Sequence, residues 1–237
     1  MQDIPTVFAG NYKPEDYDKK IRGPVLPRRA LANSLNVPAV EVMSKVGVEP
    51  VLDRAKKLGV TTLGEPSDYG LSLVLGTGEV NLVELTNVYA TFANNGLNTP
   101  PTSIHRIEDK FGRTIYLNDP KSTQAIDPKF AFLITSILSD KQARTEAFGN
   151  LLDVAIPAAV KTGTSEDYKN SLTFGYTPNL AVGVWVGNND NSAMDNVAGS
   201  LGAAPIWKAL ITKFSQEQGI DNFQAPLGIT PGKSLRS

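Results

Sequence analysis

Lys161-Thr162-Gly163-Thr164-Ser165 puts an amine, three hydroxyls and a position without a side chain into five residues. The apolar run Ala158-Ala159-Val160 leads into it. Beyond it Leu172, Phe174 and Tyr176 alternate with Ser171, Thr173 and Gly175, and Leu180, Val182, Val184 and Val186 alternate with Ala181, Gly183 and Trp185. Alternation with a period of two marks half-buried strands. Thr177-Pro178-Asn179 between the last two is a turn, because Pro fixes φ and Asn tolerates tight bends. The pattern predicts a three-strand antiparallel meander with Lys161 projecting from its first strand, at the sheet edge. An edge strand offers backbone N–H and C=O groups to an extended peptide, and Gly163 removes the side chain that would hold such a ligand off. Alone, Lys-Thr-Gly reads as readily as a solvated strand end.

A second constellation lies far upstream. Arg28-Arg29-Ala30-Leu31-Ala32-Asn33-Ser34-Leu35-Asn36-Val37-Pro38-Ala39-Val40 reads as a helix ending near Ser34-Leu35-Asn36, with Pro38 opening the next helix. Ser34 and Asn36 thus stand at a helix junction, where both residue types also serve as plain caps.

Ser-x-Asn followed by Lys-Thr-Gly is the order of the later two signatures of the serine penicillin-recognising enzymes. The chain resembles the transpeptidase domain of bifunctional (class A) penicillin-binding proteins. The resemblance runs over residues 10 to 225, through Tyr12-Lys13-Pro14, Arg22-Gly23-Pro24-Val25, Leu75-Gly76-Thr77 with Glu79-Val80, Tyr89-Ala90-Thr91-Phe92-Ala93-Asn94, Arg106-Ile107 and Ala147-Phe148-Gly149. It continues through Gly175-Tyr176-Thr177-Pro178 and Gly183-Val184-Trp185-Val186-Gly187-Asn188. It implies an α/β (α+β) fold of the penicillin-binding-protein/β-lactamase-like transpeptidase type, an antiparallel sheet with helices packed on it. It also implies acyl transfer on D-alanyl-D-alanine stem peptides of peptidoglycan, or on β-lactams, with no cofactor and no metal. By the same resemblance the Thr164 backbone N–H is half of an oxyanion hole, and the Thr162 and Thr164 hydroxyls hold the substrate's carboxylate. Gly163 and Ser165 belong to that substrate-binding segment, and Lys161 adds a positive field. Ser34 relays a proton, and Asn36 bonds the substrate amide and steadies the lysine of the remaining signature.

That remaining signature, Ser-x-x-Lys, sets a lysine one helical turn from the nucleophile, and it does not occur in this chain. Ser44 is followed directly by Lys45, Ser139 has Lys141 two residues on, and Ser165 has Lys169 four on. The resemblance therefore implies a truncated domain over residues 1–225, with a helical part over about 25–150, a sheet part over about 155–215 and a tail over 226–237. No nucleophile lies in it, and the first strands, a glycosyltransferase module and a membrane anchor are missing upstream. Such a chain is expected to be inactive alone and to leave the strand Leu180 to Gly187 without a neighbour. That edge should self-associate or be covered by Ile4 to Ala9, with part of the Trp207 stripe exposed. Asn170-Ser171-Leu172-Thr173 departs from the family's pattern, with Leu and Thr in place of aromatics. Two alternatives stand beside the transpeptidase: a non-covalent peptide- or partner-binding module derived from it, and a β-lactamase or D,D-carboxypeptidase relative.

The elements that must position these residues are legible in outline. Residues 1 to 27 are punctuated by Pro and Gly and read as irregular or extended. Val51 to Leu58 carries an apolar stripe closed by Gly59, and Leu82, Leu85, Tyr89 and Phe92 line a helix followed by Gly96. Residues 101 to 118 read as a hairpin turning at Asp109-Lys110-Phe111-Gly112. Asp127-Pro128 starts a helix through Phe130, Ile134 and Leu138 that should be buried. Ser139 to Asn150 is a polar loop near the site, and Pro205 to Phe214 is a helix whose Trp207, Leu210, Ile211 and Phe214 face the sheet.

With 237 residues and a net charge of −1, the chain suits one sizeable domain and shows no basic footprint for nucleic acid. The absence of Cys excludes disulfides and thiolate metal sites. His105 has no ligand partners in sequence and reads as a packed or solvated strand residue. No run reaches membrane-spanning length, so no membrane contact by this segment is expected, and the start lacks an export signal. The family implied by the resemblance works on the extracytoplasmic side of the bacterial membrane.

Overall fold

A computed structural model describes residues 1–165, 169–194, 200–230 and 232. Residues 231 and 233–237 of the expected tail lie outside the described residues.

The N-terminal stretch is tied down by charge. Strand β1 (Gln2–Asp3) pairs antiparallel with β2 (Gly23–Pro24). Arg22, buried beside them, binds Asp3, Asp16, Asp18 and Glu146. Three helices follow: α1 (Pro27–Ala32), α2 (Asn36–Val46) and α3 (Val48–Lys57). Helix α4 (Leu82–Ala93) is capped by the Asn81 side chain, which accepts the Val83 N–H at 2.8 Å. Two short hairpin-like pairs come next, β3 (Leu97–Asn98) with β6 (Thr123–Gln124), and β4 (Arg106–Glu108) with β5 (Thr114–Leu117). Helix α5 (Pro128–Leu138) starts at Asp127, whose side chain accepts the Lys129 N–H, with Pro128 in the first turn.

After α6 (Thr145–Phe148) the alternating run folds as β7 (Ala159–Thr164), β8 (Asn170–Tyr176) and β9 (Ala181–Gly187), paired antiparallel in that order. Helix α7 (Ala203–Gln218) closes the described structure. The pleat divides the sheet's side chains into two layers of core. Val160 and Val184 pack with Trp207 and Ile211 of α7 and with Leu152, Val154 and Ile156. Ala159 and Tyr176 face the other way, onto Leu138 and Ile134 of α5 and Tyr89 and Phe92 of α4. On that face Tyr89 stacks on Phe174, ring centroids 5.0 Å apart. Gly175 lets α7 approach, since a Cβ there would stand 2.4 Å from Trp207 Cζ2 and 2.5 Å from the Ala159 carbonyl.

Several expectations are corrected by this packing. Ile4 to Ala9 does not cover β9, because β1 is committed to β2 and the Gln2 N–H donates to Glu41 of α2. Trp207 and Ile211 are fully buried, sealed by the 152–158 stretch, so of their stripe only Phe214 is left exposed. Phe214 turns outward and Ser215 takes its place on the buried stripe. Helix α5 buries only Ala131, Thr135 and Leu138, leaving Phe130 64% exposed. Pro38 lies inside the first turn of α2 rather than opening it, and His105 sits just ahead of β4.

Candidate active site

Ser34 is not a helix cap in the sense its residue type suggests. It follows α1 in the left-handed conformation, φ +58°, with its N–H donating to the Leu31 carbonyl and the next N–H, of Leu35, reaching back to Ala30. This is the C-terminal turn whose left-handed position glycine usually fills. A serine there carries strain and keeps a side chain. Its exposed hydroxyl accepts from Lys161 Nζ at 2.6 Å, across 127 residues of sequence.

Lys161 sits on the face of β7 that looks toward α4 and α5, opposite Phe174 in register. Its Nζ also donates to the Thr162 carbonyl at 2.8 Å. The protein around the half-buried side chain strips water from the ammonium and draws its pKa down from 10.5 to about 8. The sequence holds no lysine three residues after a serine, although the order of the two motifs puts Ser34 and Lys161 in one cleft. The sheet instead supplies one through space.

The ladder fixes what β7 offers along its open side. Ser165 N–H donates to the Asn170 carbonyl at 3.0 Å, and at the far end Thr177 N–H donates to Leu180 at 2.8 Å. Alternation from either anchor directs the Lys161 and Gly163 backbone groups into the sheet and those of Thr162 and Thr164 outward. The Thr162 and Thr164 side chains lie on the α7 face, opposite to Lys161, so the two sets flank one edge from its two sides. At Gly163 a Cβ would meet only Leu172, at an ordinary 3.5 Å. Nothing among the described residues demands glycine there.

Ser165 and Asn36 are committed elsewhere. Ser165 Oγ accepts the Asn170 N–H at 2.8 Å, closing the β7–β8 connection, and Asn170 Oδ1 takes Trp185 Nε1 at 2.7 Å. The Asn36 side chain donates to the Glu15 carbonyl at 2.8 Å, not to Lys161. Sequence reasoning missed the residues that hold this junction. Asp16 Oδ1 accepts the backbone N–H groups of Asn36 and Val37, and Asn33 Nδ2 bonds Ala143 while its Oδ1 takes the Ala147 N–H. The Ser139 to Asn150 segment therefore folds around the residue before Ser34, with α6 inside it. A cavity of about 470 Å³ between α5, residues 155–158 and Asn222-Phe223 contains none of the signature residues. Among the described residues no His, Cys, Asp and Glu cluster is arranged to hold a metal.

The family model of the penicillin binding protein transpeptidase domain matches residues 3–212. The chain belongs to the penicillin-binding protein transpeptidase family. It is 33% identical to penicillin-binding protein 1A of Aquifex aeolicus over 215 residues, 90% of this chain and 29% of that protein. To penicillin-binding protein 1A of Clostridium acetobutylicum it is 29% identical over 96% of this chain and 28% of that one. The chain thus spans about a third or less of the curated relatives it matches. The fold of this chain superposes on penicillin-binding protein 1A of Haemophilus influenzae with a TM-score of 0.82 at 21% identity, covering 96% of this chain and 40% of that one. PonA1 of Mycobacterium tuberculosis in complex with penicillin V gives 0.78 at 23% identity, over 95% and 65%. These likenesses bear out the α/β arrangement of an antiparallel sheet under helices. Among the described residues no helix is long and apolar enough to cross a membrane.

Proposed function

We propose that this chain is the substrate-holding part of a peptidoglycan transpeptidase that crosslinks D-alanyl-D-alanine stem peptides by serine acyl transfer on the extracytoplasmic side of the membrane. The contact of Lys161 with Ser34 beside the open edge of β7 carries this reading. An extended peptide pairs with the outward backbone of Thr162 and Thr164. Its terminal carboxylate, or that of a β-lactam, lies in the field of the Lys161 ammonium and takes the Thr162 and Thr164 hydroxyls. The Thr164 N–H faces the oxyanion of the acyl group. Gly163 admits the ligand to the strand, and Ser165 holds the end of that strand in place. Ser34 passes a proton to the leaving amine and recovers it through Lys161, and Asn36 turns from Glu15 to the substrate amide. Since Ser-x-x-Lys is absent from the sequence, crosslinking turnover is not expected of this chain by itself.

Titration of the chain with a diacetyl-lysyl-D-alanyl-D-alanine peptide, followed by amide NMR, tests the reading. Shifts at residues 162–164, lost in Lys161→Ala and weakened when the peptide's carboxylate is amidated, are expected. A peptide that perturbs no β7 amide removes the assignment.

A further inference from the structure

We propose that Ser34 and Lys161 form a serine–lysine nucleophile pair of their own, through which this chain takes an acyl or phosphonyl group from an activated ester, lactam or fluorophosphonate. This differs from a relay, in which the serine hydroxyl only passes a proton, and it stands whether or not the cleft accepts stem peptides.

Three features carry it. The amine is in place: Lys161 Nζ lies 2.6 Å from Ser34 Oγ, the reach a base needs to take a hydroxyl proton. It is also oriented, because one N–H stays on the Thr162 carbonyl at 2.8 Å. Loss of one proton therefore leaves a lone pair for Ser34. Third, the hydroxyl is presented: Ser34 is exposed, and its left-handed backbone lifts it off the end of α1 at a position where glycine would cost less. Among the described residues the other serines lack this set. Ser136 Oγ takes Arg28, a guanidinium that does not deprotonate; Ser44 donates to the Glu41 carbonyl; Ser171 and Ser215 are sealed in the core.

The reaction closes without a further reactant. The neutral amine of Lys161 takes the hydroxyl proton as Ser34 Oγ attacks. With an ester the new O–C bond replaces the bond to the alcohol, and the ammonium returns the proton to the departing alkoxide. With a fluorophosphonate an O–P bond forms, the P–F bond breaks, fluoride leaves, and the proton remains on Lys161.

The amine is neutral for about half of the molecules near pH 8. The charged groups on neighbouring elements are turned elsewhere: Arg28 and Arg29 of α1 toward Asp140 and Glu146, and Asp16 toward Arg22. Tyr89 of α4 and Tyr176 of β8, on the same face as Lys161, are held neutral by burial.

The 237-residue chain is incubated with an alkyl fluorophosphonate and mapped by peptide mass. A single adduct on Ser34 is expected, forming roughly tenfold faster at pH 9 than at pH 7 as the amine is freed. Lys161→Arg keeps the charge but offers no base, and should slow labelling about 100-fold. Lys161→Met should do the same, with far-UV circular dichroism and thermal melting showing that each variant folds. Labelling spread over several serines, labelling of Ser34 that survives both substitutions, or no adduct on the folded chain at pH 9 would overturn the proposal.

Discussion

Asp16 caps helix α2 from outside: its Oδ1 accepts the Asn36 N–H at 2.6 Å and the Val37 N–H at 3.1 Å, where Leu35 at the N-cap position offers no side-chain cap. The same carboxylate is bound by Arg22 at 3.2 Å. Burial raises its pKa above the ordinary 3.8, and the nearby Asp3 adds to that. Asp16→Ala should cost about 2 kcal/mol, the upper range for a lost N-cap. Asp16→Asn retains an acceptor for the helix amides and should cost less. Urea denaturation of the two variants distinguishes cap from charge, and equal losses would refute the ranking.

The left-handed backbone of Ser34 makes a comparison of two substitutions informative. Both Ser34→Ala and Ser34→Gly remove the hydroxyl, but only Gly relieves the backbone. Ser34→Gly should be the more stable by about 1 kcal/mol, or roughly 2–4 °C in Tm for a chain of this size. Differential scanning calorimetry measures it, and an alanine variant that melts with or above the glycine one would be inconsistent with the geometry.

Lys161 makes stability depend on alkaline pH. Its folded pKa, about 8, lies below the 10.5 of the unfolded chain. Between these values the unfolded state binds more protons, so this group's contribution rises with pH across that window and is least favourable below it. Relative to Lys161→Met, the wild type should gain stability from pH 8 to pH 10. Denaturant midpoints for the pair at both values test this, and a constant difference would place the amine in water.

Two glycines on adjacent strands should fail in opposite ways. Gly175→Ala forces a Cβ against Trp207 and the Ala159 carbonyl and should destabilise by about 3 kcal/mol or more, visible in the tryptophan fluorescence transition. Gly163→Ala meets only Leu172, so the fold should be unchanged while affinity for a carboxylate-terminated peptide falls. Normal peptide binding by Gly163→Ala would mean that the strand edge is not where the ligand lies.

Among the described residues no strand pairs with the outer side of β9, where the ladder turns the backbone groups of Ala181, Gly183 and Trp185 outward. The strand carries no charge, no Pro and no bulge to blunt that edge. Concentration-dependent association is expected in light scattering, and Trp185→Lys should reduce it. A wild type that stays monomeric at high concentration, with rapidly exchanging Gly183 and Trp185 amides, would contradict this.

Period-two alternation from Leu172 to Val186 was enough to place the meander and to put Lys161 on an edge, because the pleat sends large apolar and small or polar side chains to opposite faces, although Ser171 and Thr173 prove buried as well. Asp127-Pro128 likewise announced α5, since cap and first turn are adjacent. Asp16 left no such trace: a cap delivered from a remote loop changes nothing near the helix it serves. The end of α1 near Ser34 was legible, but its left-handed backbone was not, since serine is a residue type that also serves as a plain cap. Phe130 and Phe214 show the limit of apolar periodicity, which counts a phenylalanine as core although a smaller neighbour, Ala131 or Ser215, fills the space. The contact of Ser34 with Lys161 was inferred from the order of two motifs, while its 2.6 Å reach and the desolvation that lowers the amine's pKa are properties of the assembled layers alone.

The 127 residues between Ser34 and Lys161 make their contact a late event in folding. Closing a loop of that length is entropically costly and is compensated only when α5 has docked on β7 and the turn after α1 has set. No isolated helix or hairpin of this chain can hold the pair together. A chemical label on Ser34 that depends on Lys161 would therefore count finished molecules, and its rate of appearance after dilution from denaturant would clock the last step of assembly.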